Sequence, residues 1–155
     1  DGYKSQFLFL TLNMGFFVTN CLAEPVNIEI TNIQNNSGSI RIVLHDNGDS
    51  FDKMGDKGAL VAVLHRATKE PISLTIHDVP PGYYAVIVHH DKNNNEIMDK
   101  RALLLPKEDF GLSNGASCYK IPSFEQAISQ AKKKEEGQET KVTKITVELL
   151  TIKHN

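Results

Sequence analysis

The sequence lacks tryptophan, a charge excess and a long apolar run. Its 155 residues include no Trp, and 17 basic residues against 19 acidic ones give a formal net charge of −2. Nucleic-acid-binding proteins need a concentrated positive surface to displace counterions, so this balance argues against that class. With 40% apolar and 23% charged residues, the composition is that of an ordinary soluble domain rather than a collagen or a disordered tail.

Cysteine is also scarce, with Cys21 and Cys118 alone in the chain. Cleavage after Ala23 would leave Cys118 by itself, which excludes an intramolecular disulfide in the mature protein. We interpret Cys118 as a buried thiol rather than a nucleophile.

The apolar residues are concentrated in one segment, Phe7 to Ala23, which holds four of the seven Phe. It follows Lys4, ends in small residues and precedes the more polar Glu24-Pro25, a layout typical of a secretory signal peptide. A membrane span needs about 20 predominantly apolar residues, and this run is too short and too polar. The sequence therefore predicts a signal peptide over residues 1–23 and one periplasmic or secreted domain over residues 24–155, with no transmembrane segment in the mature chain.

A second export route is open at Cys21. Val18-Thr19-Asn20-Cys21 has the outline of a lipoprotein box, in which Cys21 would carry a lipid anchor. Asn20 stands where such a box has a small residue, so we favour soluble secretion. Both routes place the mature domain outside the cytoplasm.

Alternating apolar residues dominate the rest of the chain and predict β-strands. Val26–Ile30 and Ile40–Leu44 flank an Asn/Ser/Gly turn, which predicts a hairpin. Ala59–Leu64 is continuously apolar, as expected of a strand that is buried on both faces. Further strands are predicted at 72–76, at 83–90 as a central strand after the Val79–Gly82 turn, and at 142–150.

One segment near the C-terminus has helical features. Ser123 follows a proline and precedes Gln126 by three residues, the spacing of a capping box, and Ala127, Ile128 and Ala131 follow at helical spacing. The predicted fold class is therefore mostly β: a single β-sandwich of about seven strands with one short helix near the C-terminus.

The clearest candidate site follows the predicted central strand. Oxygen-bearing side chains occupy positions one, three, five and nine of a loop, and the Ile97 carbonyl stands at position seven; the four residues are Asp91, Asn93, Asn95 and Asp99. Calcium prefers six to eight such oxygens, so the spacing predicts a Ca²⁺ site. Glu96 at position six and Ala102 at position twelve differ from an EF-hand, and the low charge indicates weak affinity, about 0.1–1 mM. The alternative is an Asn/Asp-rich turn whose side chains bond their own backbone.

Four ordered motifs resemble a bacterial family of small secreted proteins, catalogued as domain of unknown function 2141. They are Pro80–Val86, His90–Asp99, Pro106–Asn114 and Pro122–Ala127. The resemblance implies a secreted or periplasmic β-sandwich of the prealbumin-like or immunoglobulin-like kind, with no established activity. The chain departs from the family pattern at Asn94, Glu96 and Lys100 and over residues 102–105.

Other polar residues offer weaker candidates. His89 and His90 are adjacent, so on a strand they face opposite sides and cannot jointly chelate one ion. His90 could instead orient Asp91 by a hydrogen bond. The loop 46–58 holds four acidic residues that form a second cation site, extend the first one or simply face solvent; they are Asp46, Asp49, Asp52 and Asp56. A hydrolase triad could be drawn from His45, Asp46 and Ser50 or Ser113, but no nucleophile elbow accompanies it.

Three functions therefore remain open. The first is a non-enzymatic binding or structural module, stabilised by weakly bound Ca²⁺ and contacting an unknown envelope or extracellular partner. The second is a carbohydrate- or peptide-binding module that uses the rings of Tyr83, Tyr84, Phe110 and Tyr119. The third is an uncharacterised hydrolase that uses His89, His90 and nearby carboxylates.

Overall fold

A computed structural model of the chain describes residues 23–100, 106–115, 121–131, 139 and 141–153. The described residues do not include Cys118 and Tyr119. They also leave out residues 1–22, which hold Cys21 and nearly all of the predicted signal peptide. The described part contains eight strands and two short helices, in the order β1 Glu24–Thr31, β2 Ser39–His45, α1 Gly48–Asp52, β3 Val61–Arg66, β4 Ile72–Val79, β5 Gly82–Asp91, β6 Phe110–Leu112, α2 Phe124–Ala127, β7 Ser129–Ala131 and β8 Thr143–Glu148. None of the helices in this part is long and apolar enough to cross a membrane.

The strands form two sheets packed face to face. The smaller sheet has the order β4-β1-β8, with β1 antiparallel to β4 and parallel to β8. The larger sheet has the order β3-β2-β5-β6, and β7 also pairs with β5. The apolar residues that alternate along β1, β2, β5 and β8 meet between the sheets in one core. The predicted mostly-β sandwich is confirmed, as is the central position of β5.

The predicted hairpin between the first two strands is wrong, because β1 and β2 belong to different sheets. Ile28 of β1 and Ile42 of β2 are both buried in the inter-sheet core, so the two strands face each other across the sandwich. A period of two determines which side chains face the core, but it carries no information about which strand is the hydrogen-bonded neighbour.

The prediction that residues 59–64 are buried on both faces is also wrong. Strand β3 begins at Val61 and lies at the edge of the larger sheet, where β2 is its paired neighbour. Val61 and Val63 are half-buried, whereas Leu60 and Leu64 are 40% and 52% exposed. An edge strand with one uncovered face keeps apolar side chains in contact with solvent.

The predicted short helix is present at Phe124–Ala127. The Gln126 side chain accepts a hydrogen bond from the Ser123 backbone N–H at 3.1 Å, which confirms the capping box. The helix ends at Ala127, Ile128 is extended, and the chain continues as β7, which pairs with the start of β5. Ala131 is therefore buried as a strand residue, and its helical spacing from Ala127 was misleading.

A second helix, α1, was not predicted. Asn47 caps it by accepting the Ser50 backbone N–H, and the helix buries Phe51 against the outer face of the larger sheet. Phe51 packs there with residues that include Ala85, Ile87, Leu112 and Ala127. Both faces of the larger sheet are thus covered, and every residue of β5 from Tyr84 to Asp91 is buried. Polar side chains on the outer face of β2 and β5 consequently lie inside the protein.

The larger sheet approaches β8 of the smaller sheet closely at Gly111 of β6, which provides a test of this packing. A Cβ at Gly111 would lie 2.5 Å from the Glu148 carbonyl oxygen and 2.7 Å from a methyl group of Val147. We expect Gly111→Ala to lower the free energy of unfolding by about 1–3 kcal/mol, because β6 must move away from β8. Gly55→Ala is the control, since its nearest contact would be an unstrained 3.9 Å. Equal urea midpoints for the two variants would contradict this packing.

Candidate functional site

The loop that follows β5 folds around one buried carboxylate. Asp91 is the last residue of β5 and is fully buried. Its two oxygens accept the backbone N–H groups of Asn95 at 3.1 Å and Glu96 at 2.7 Å. Asn94 and Glu96 both adopt left-handed backbone conformations, with φ of 55° and 63°. Glu96 thus takes a conformation that favours glycine, at a cost of roughly 1–2 kcal/mol.

The remaining oxygen-bearing side chains of the loop converge on Asp99. Asn93 donates from Nδ2 to Asp99 Oδ2 at 2.9 Å, and Asn95 donates from Nδ2 to both Asp99 oxygens at 3.1 Å. The Asn93 and Asn95 side-chain oxygens accept backbone N–H groups of Asn95 and Ile97. The Ile97 side chain is exposed. The structure therefore brings the side chains of Asn93, Asn95 and Asp99 together, in a turn that is stabilised by its own hydrogen bonds and whose backbone N–H groups bind Asp91.

Two carboxylates and two amides make up this cluster. In the described part of the chain, no three His, Cys, Asp or Glu side chains are grouped as a metal site. A cation in the Asp91–Asp99 loop would consequently depend on amide and carbonyl oxygens as well as on Asp91 and Asp99. Such ligands suit Ca²⁺ rather than a transition metal.

The segment 106–109 holds both ends of the loop. Glu108 accepts the backbone N–H of Asp99 at 3.3 Å and also bonds the backbone N–H of Lys92. Lys107 donates its backbone N–H to the Asp99 carbonyl at 2.7 Å, and Lys92 forms an ion pair with buried Asp109 at 3.1 Å. Burial raises the pKa of Glu108. Sequence reasoning did not single out Glu108, although it lies in the Pro106–Asn114 motif.

The turn before β2 packs against the opposite side of the loop. Gly38 has φ of 70°, and a Cβ there would lie 2.0 Å from the Asp91 carbonyl oxygen. Ser39 donates from Oγ to the Asn94 side-chain oxygen at 2.6 Å. Glycine is therefore required at position 38 both for its conformation and for the close approach of the two backbones.

Arg41 links the loop to the segment after α1. Its buried guanidinium lies 2.6 Å from Asp56 and 3.9 Å from Glu96. These three residues line a cavity of about 240 Å³, whose lining also includes Met54, His89 and Met98. The other acidic residues of the loop 46–58, Asp46, Asp49 and Asp52, are exposed.

The two adjacent histidines face opposite sides of the sheet, as predicted. His89 faces the outer side, where its Nε2 lies 3.8 Å from Glu108 Oε2, and burial lowers its pKa to about 4. His90 contacts the Ser37 carbonyl through Nε2 at 2.5 Å, so it holds the turn before β2. His89 lies near Glu108 and the cavity, whereas His90 is on the other face.

The residues of the possible hydrolase triad are partly brought together. His45 Nδ1 lies 2.8 Å from Ser50 Oγ, but both residues are buried and the imidazole packs edge-on against Phe51. Asp46 is exposed. Ser113 donates to the Ala127 carbonyl and accepts the Val86 N–H, so its hydroxyl joins β5 to α2. The His45–Ser50 pair thus packs within the outer core.

Two of the candidate stacking rings are unsuitable for ligand contact. Tyr84 is buried and donates its hydroxyl to the Pro80 carbonyl at 2.5 Å, and Phe110 is fully buried. Tyr83 is 55% exposed. A stacking surface would therefore depend on Tyr83 and on Tyr119, which lies outside the described residues.

The fold and the loop define a small β-sandwich protein with an Asn/Asp-rich loop at the end of its central strand. A family model described as an uncharacterised protein conserved in bacteria (DUF2141) matches residues 28–141, and the chain belongs to this family. The comparisons with curated proteins and with solved structures gave no match. The resemblance carried by the four motifs is thus confirmed at the level of the family.

The buried His45–Ser50 pair predicts a pH dependence of stability. Burial lowers the pKa of His45 below 6.5, so the folded protein keeps this imidazole neutral while the unfolded chain takes up a proton. Its contribution to stability is complete above about pH 6.5 and is lost as the pH falls. We expect His45→Gln to lose less free energy of unfolding than the wild type between about pH 7 and 5.

The matched control is His65→Gln, because His65 is exposed on β3. Chemical denaturation at several pH values measures the slope for the three proteins. If His45→Gln and the wild type lose equal free energy of unfolding over this pH range, the claim that the His45 imidazole is neutral in the folded protein is refuted.

Proposed function

We propose that this protein is a secreted or periplasmic, non-enzymatic binding or structural module whose Asp91–Asp99 loop binds Ca²⁺ weakly. The observation that supports this proposal is the convergence of Asn93, Asn95 and Asp99 in a turn folded around buried Asp91. Oxygen-bearing side chains at positions one, three, five and nine, with a carbonyl at position seven, match part of the pattern by which a calcium loop supplies its ligands.

The ligand set is consistent with modest affinity. Side-chain oxygens of Asp91, Asn93, Asn95 and Asp99, with the Ile97 carbonyl, would supply five ligands, and water would complete the six to eight that Ca²⁺ takes. Two carboxylates balance the charge of the ion without excess. We therefore expect a dissociation constant for Ca²⁺ of about 0.1–1 mM, as in extracellular modules.

Calcium bound here would act on the end of the sandwich as a whole. The loop contacts the Gly38–Ser39 turn on one side and the segment 106–109 on the other. Bound Ca²⁺ would replace hydrogen bonds between Asn side chains and Asp99 with stronger ionic contacts, so it would hold these segments together. The ion therefore has a stabilising role rather than a catalytic one.

The partner that we propose is an envelope or extracellular component that contacts this end of the molecule. Leu64 and Ile97 are 52% and 64% exposed. Ile97 lines the cavity of about 240 Å³, Leu64 lines a second cavity, and Arg41 lines both. These exposed apolar side chains near the loop are the feature that supports a protein contact. A carbohydrate- or peptide-binding role is the alternative, supported by exposed Tyr83.

Calcium should stabilise the protein in a way that depends on Asp99. At 10 mM Ca²⁺ and a Kd of about 0.1–1 mM, the linkage relation gives about 1.5–3 kcal/mol. The melting temperature should rise by roughly 3–10 °C for a domain of this size. Asp99→Asn should abolish the rise, because it removes one of the two carboxylate ligands.

The matched control is Asp49→Asn, which removes an exposed carboxylate in α1. Its calcium-dependent rise should equal that of the wild type. Thermal scans with Ca²⁺, Mg²⁺ and a chelator give the comparison. An unchanged melting temperature in the wild type, or the same rise in Asp99→Asn, would exclude the calcium site.

Export should depend on the apolar segment 7–23. Residues 1–30 fused to a reporter that is active only outside the cytoplasm should give activity, and Leu8→Asp with Leu10→Asp should abolish it by interrupting the run. Gln6→Asp, just before the run, is the control. N-terminal sequencing should begin at Glu24, whereas a lipid-modified Cys21 would refute soluble secretion.

A further inference from the structure

Two buried polar groups on the outer face of the larger sheet meet without bonding to each other. The side chains of His89 and Glu108 are 5% and 8% exposed, and their Nε2 and Oε2 atoms are 3.8 Å apart. This distance is too long for a hydrogen bond. His89 Nε2, like His45 Nε2 and His90 Nδ1, has no hydrogen-bond partner in the described part of the chain. A buried nitrogen without a partner is costly, and that of His89 also lies beside the Glu108 carboxylate and lines a cavity.

The separation fits two donors bonded to one transition-metal ion. Bonds from such an ion to imidazole nitrogen and carboxylate oxygen are about 2.0–2.2 Å long, so donor atoms 3.8 Å apart would subtend an angle of roughly 130° at the ion, between tetrahedral and linear. Calcium takes oxygen ligands, and the imidazole of His89 is unsuited to it. The ion that fits here therefore differs from the one proposed for the Asp91–Asp99 loop.

Two thioethers lie on the same side of the sheet. Met54 and Met98 are both buried, and both line the cavity of about 240 Å³ that His89 also lines. Methionine has three flexible torsions, which allow its sulfur to turn towards a ligand. Thioether sulfur selects Cu(I) among the common ions, and imidazole also suits copper.

We propose that the protein binds one copper ion between His89 Nε2 and the Glu108 carboxylate, with the thioethers of Met54 and Met98 as additional ligands from the cavity. The site adjoins the Asp91–Asp99 loop, since Glu108 also bonds the Asp99 backbone, but it shares no ligand with that loop. It goes beyond the proposed function and does not depend on calcium binding.

Competition for Cu(I) against the chromogenic chelator bicinchoninate, without oxygen, tests the site. The full chain should carry Cys21→Ser and Cys118→Ser, because free thiols also bind Cu(I). We expect the parent protein to bind one equivalent of Cu(I). His89→Gln should weaken this binding by roughly 30-fold or more, because it removes a ligand. His65→Gln, at an exposed histidine, should bind as the parent does.

Methyl NMR distinguishes copper at this site from copper elsewhere. Cu(I) should shift the methyl signals of Met54 and Met98, while the signal of Met14 in the leader segment should stay in place. Met98→Leu conserves core volume and should weaken Cu(I) binding by about tenfold, so it tests the site even if His89→Gln fails to fold. Far-UV circular dichroism checks the fold of each variant.

The proposal would be overturned by a lack of Cu(I) uptake by the parent protein, by uptake in folded His89→Gln equal to that of the parent, or by stationary Met54 and Met98 signals on binding. Displacement of Cu(I) by equimolar Zn²⁺ would also refute a copper site, because thioethers do not favour zinc. Asp99→Asn should bind Cu(I) unchanged, so failure of the calcium proposal remains distinguishable.

Discussion

The end of the molecule that carries the candidate site depends on the burial of the Asp91 carboxylate. A buried carboxylate must be satisfied by hydrogen bonds, and here the chain turns back so that the N–H groups of Asn95 and Glu96 meet it. That turn places Asn93, Asn95 and Asp99 together. It also accounts for Gly38, which must be a glycine because the Asp91 backbone lies against it.

The outer face of the larger sheet is also buried, and this burial explains why it holds candidate ligand side chains. Outward-facing residues of a two-layer sandwich are normally solvated, but α1, α2 and the segment 106–109 cover the outer face of the larger sheet. His45, His89 and Arg41 are consequently buried with their polar atoms, and His89 is kept neutral. Oxygen-bearing side chains meet in the loop, whereas His89, Met54 and Met98 line one cavity, which is why we propose two different ions.

The sequence predicted the strands better than their arrangement. Alternation in β1, β2, β4 and β8 identified buried faces, and these faces are local properties of a pleated backbone. The hairpin, the doubly buried strand at residues 59–64 and the continuation of helical spacing to Ala131 were wrong because each depended on neighbours distant in the chain. Ala131, for example, is buried by the pairing of β7 with β5, a contact that helical spacing cannot anticipate.

By itself, the sequence determined the family, the sandwich class and which four oxygen-bearing residues of the loop are candidate ligands. These follow from short-range spacing, because position along a strand or a tight turn sets where a side chain points. Only the tertiary structure decided that Glu108 clamps the loop, that Arg41 bridges it to Asp56, and that His89 shares a cavity with Met54 and Met98. Those residues lie far apart in the chain, and packing on the outer face of one sheet is what brings them together.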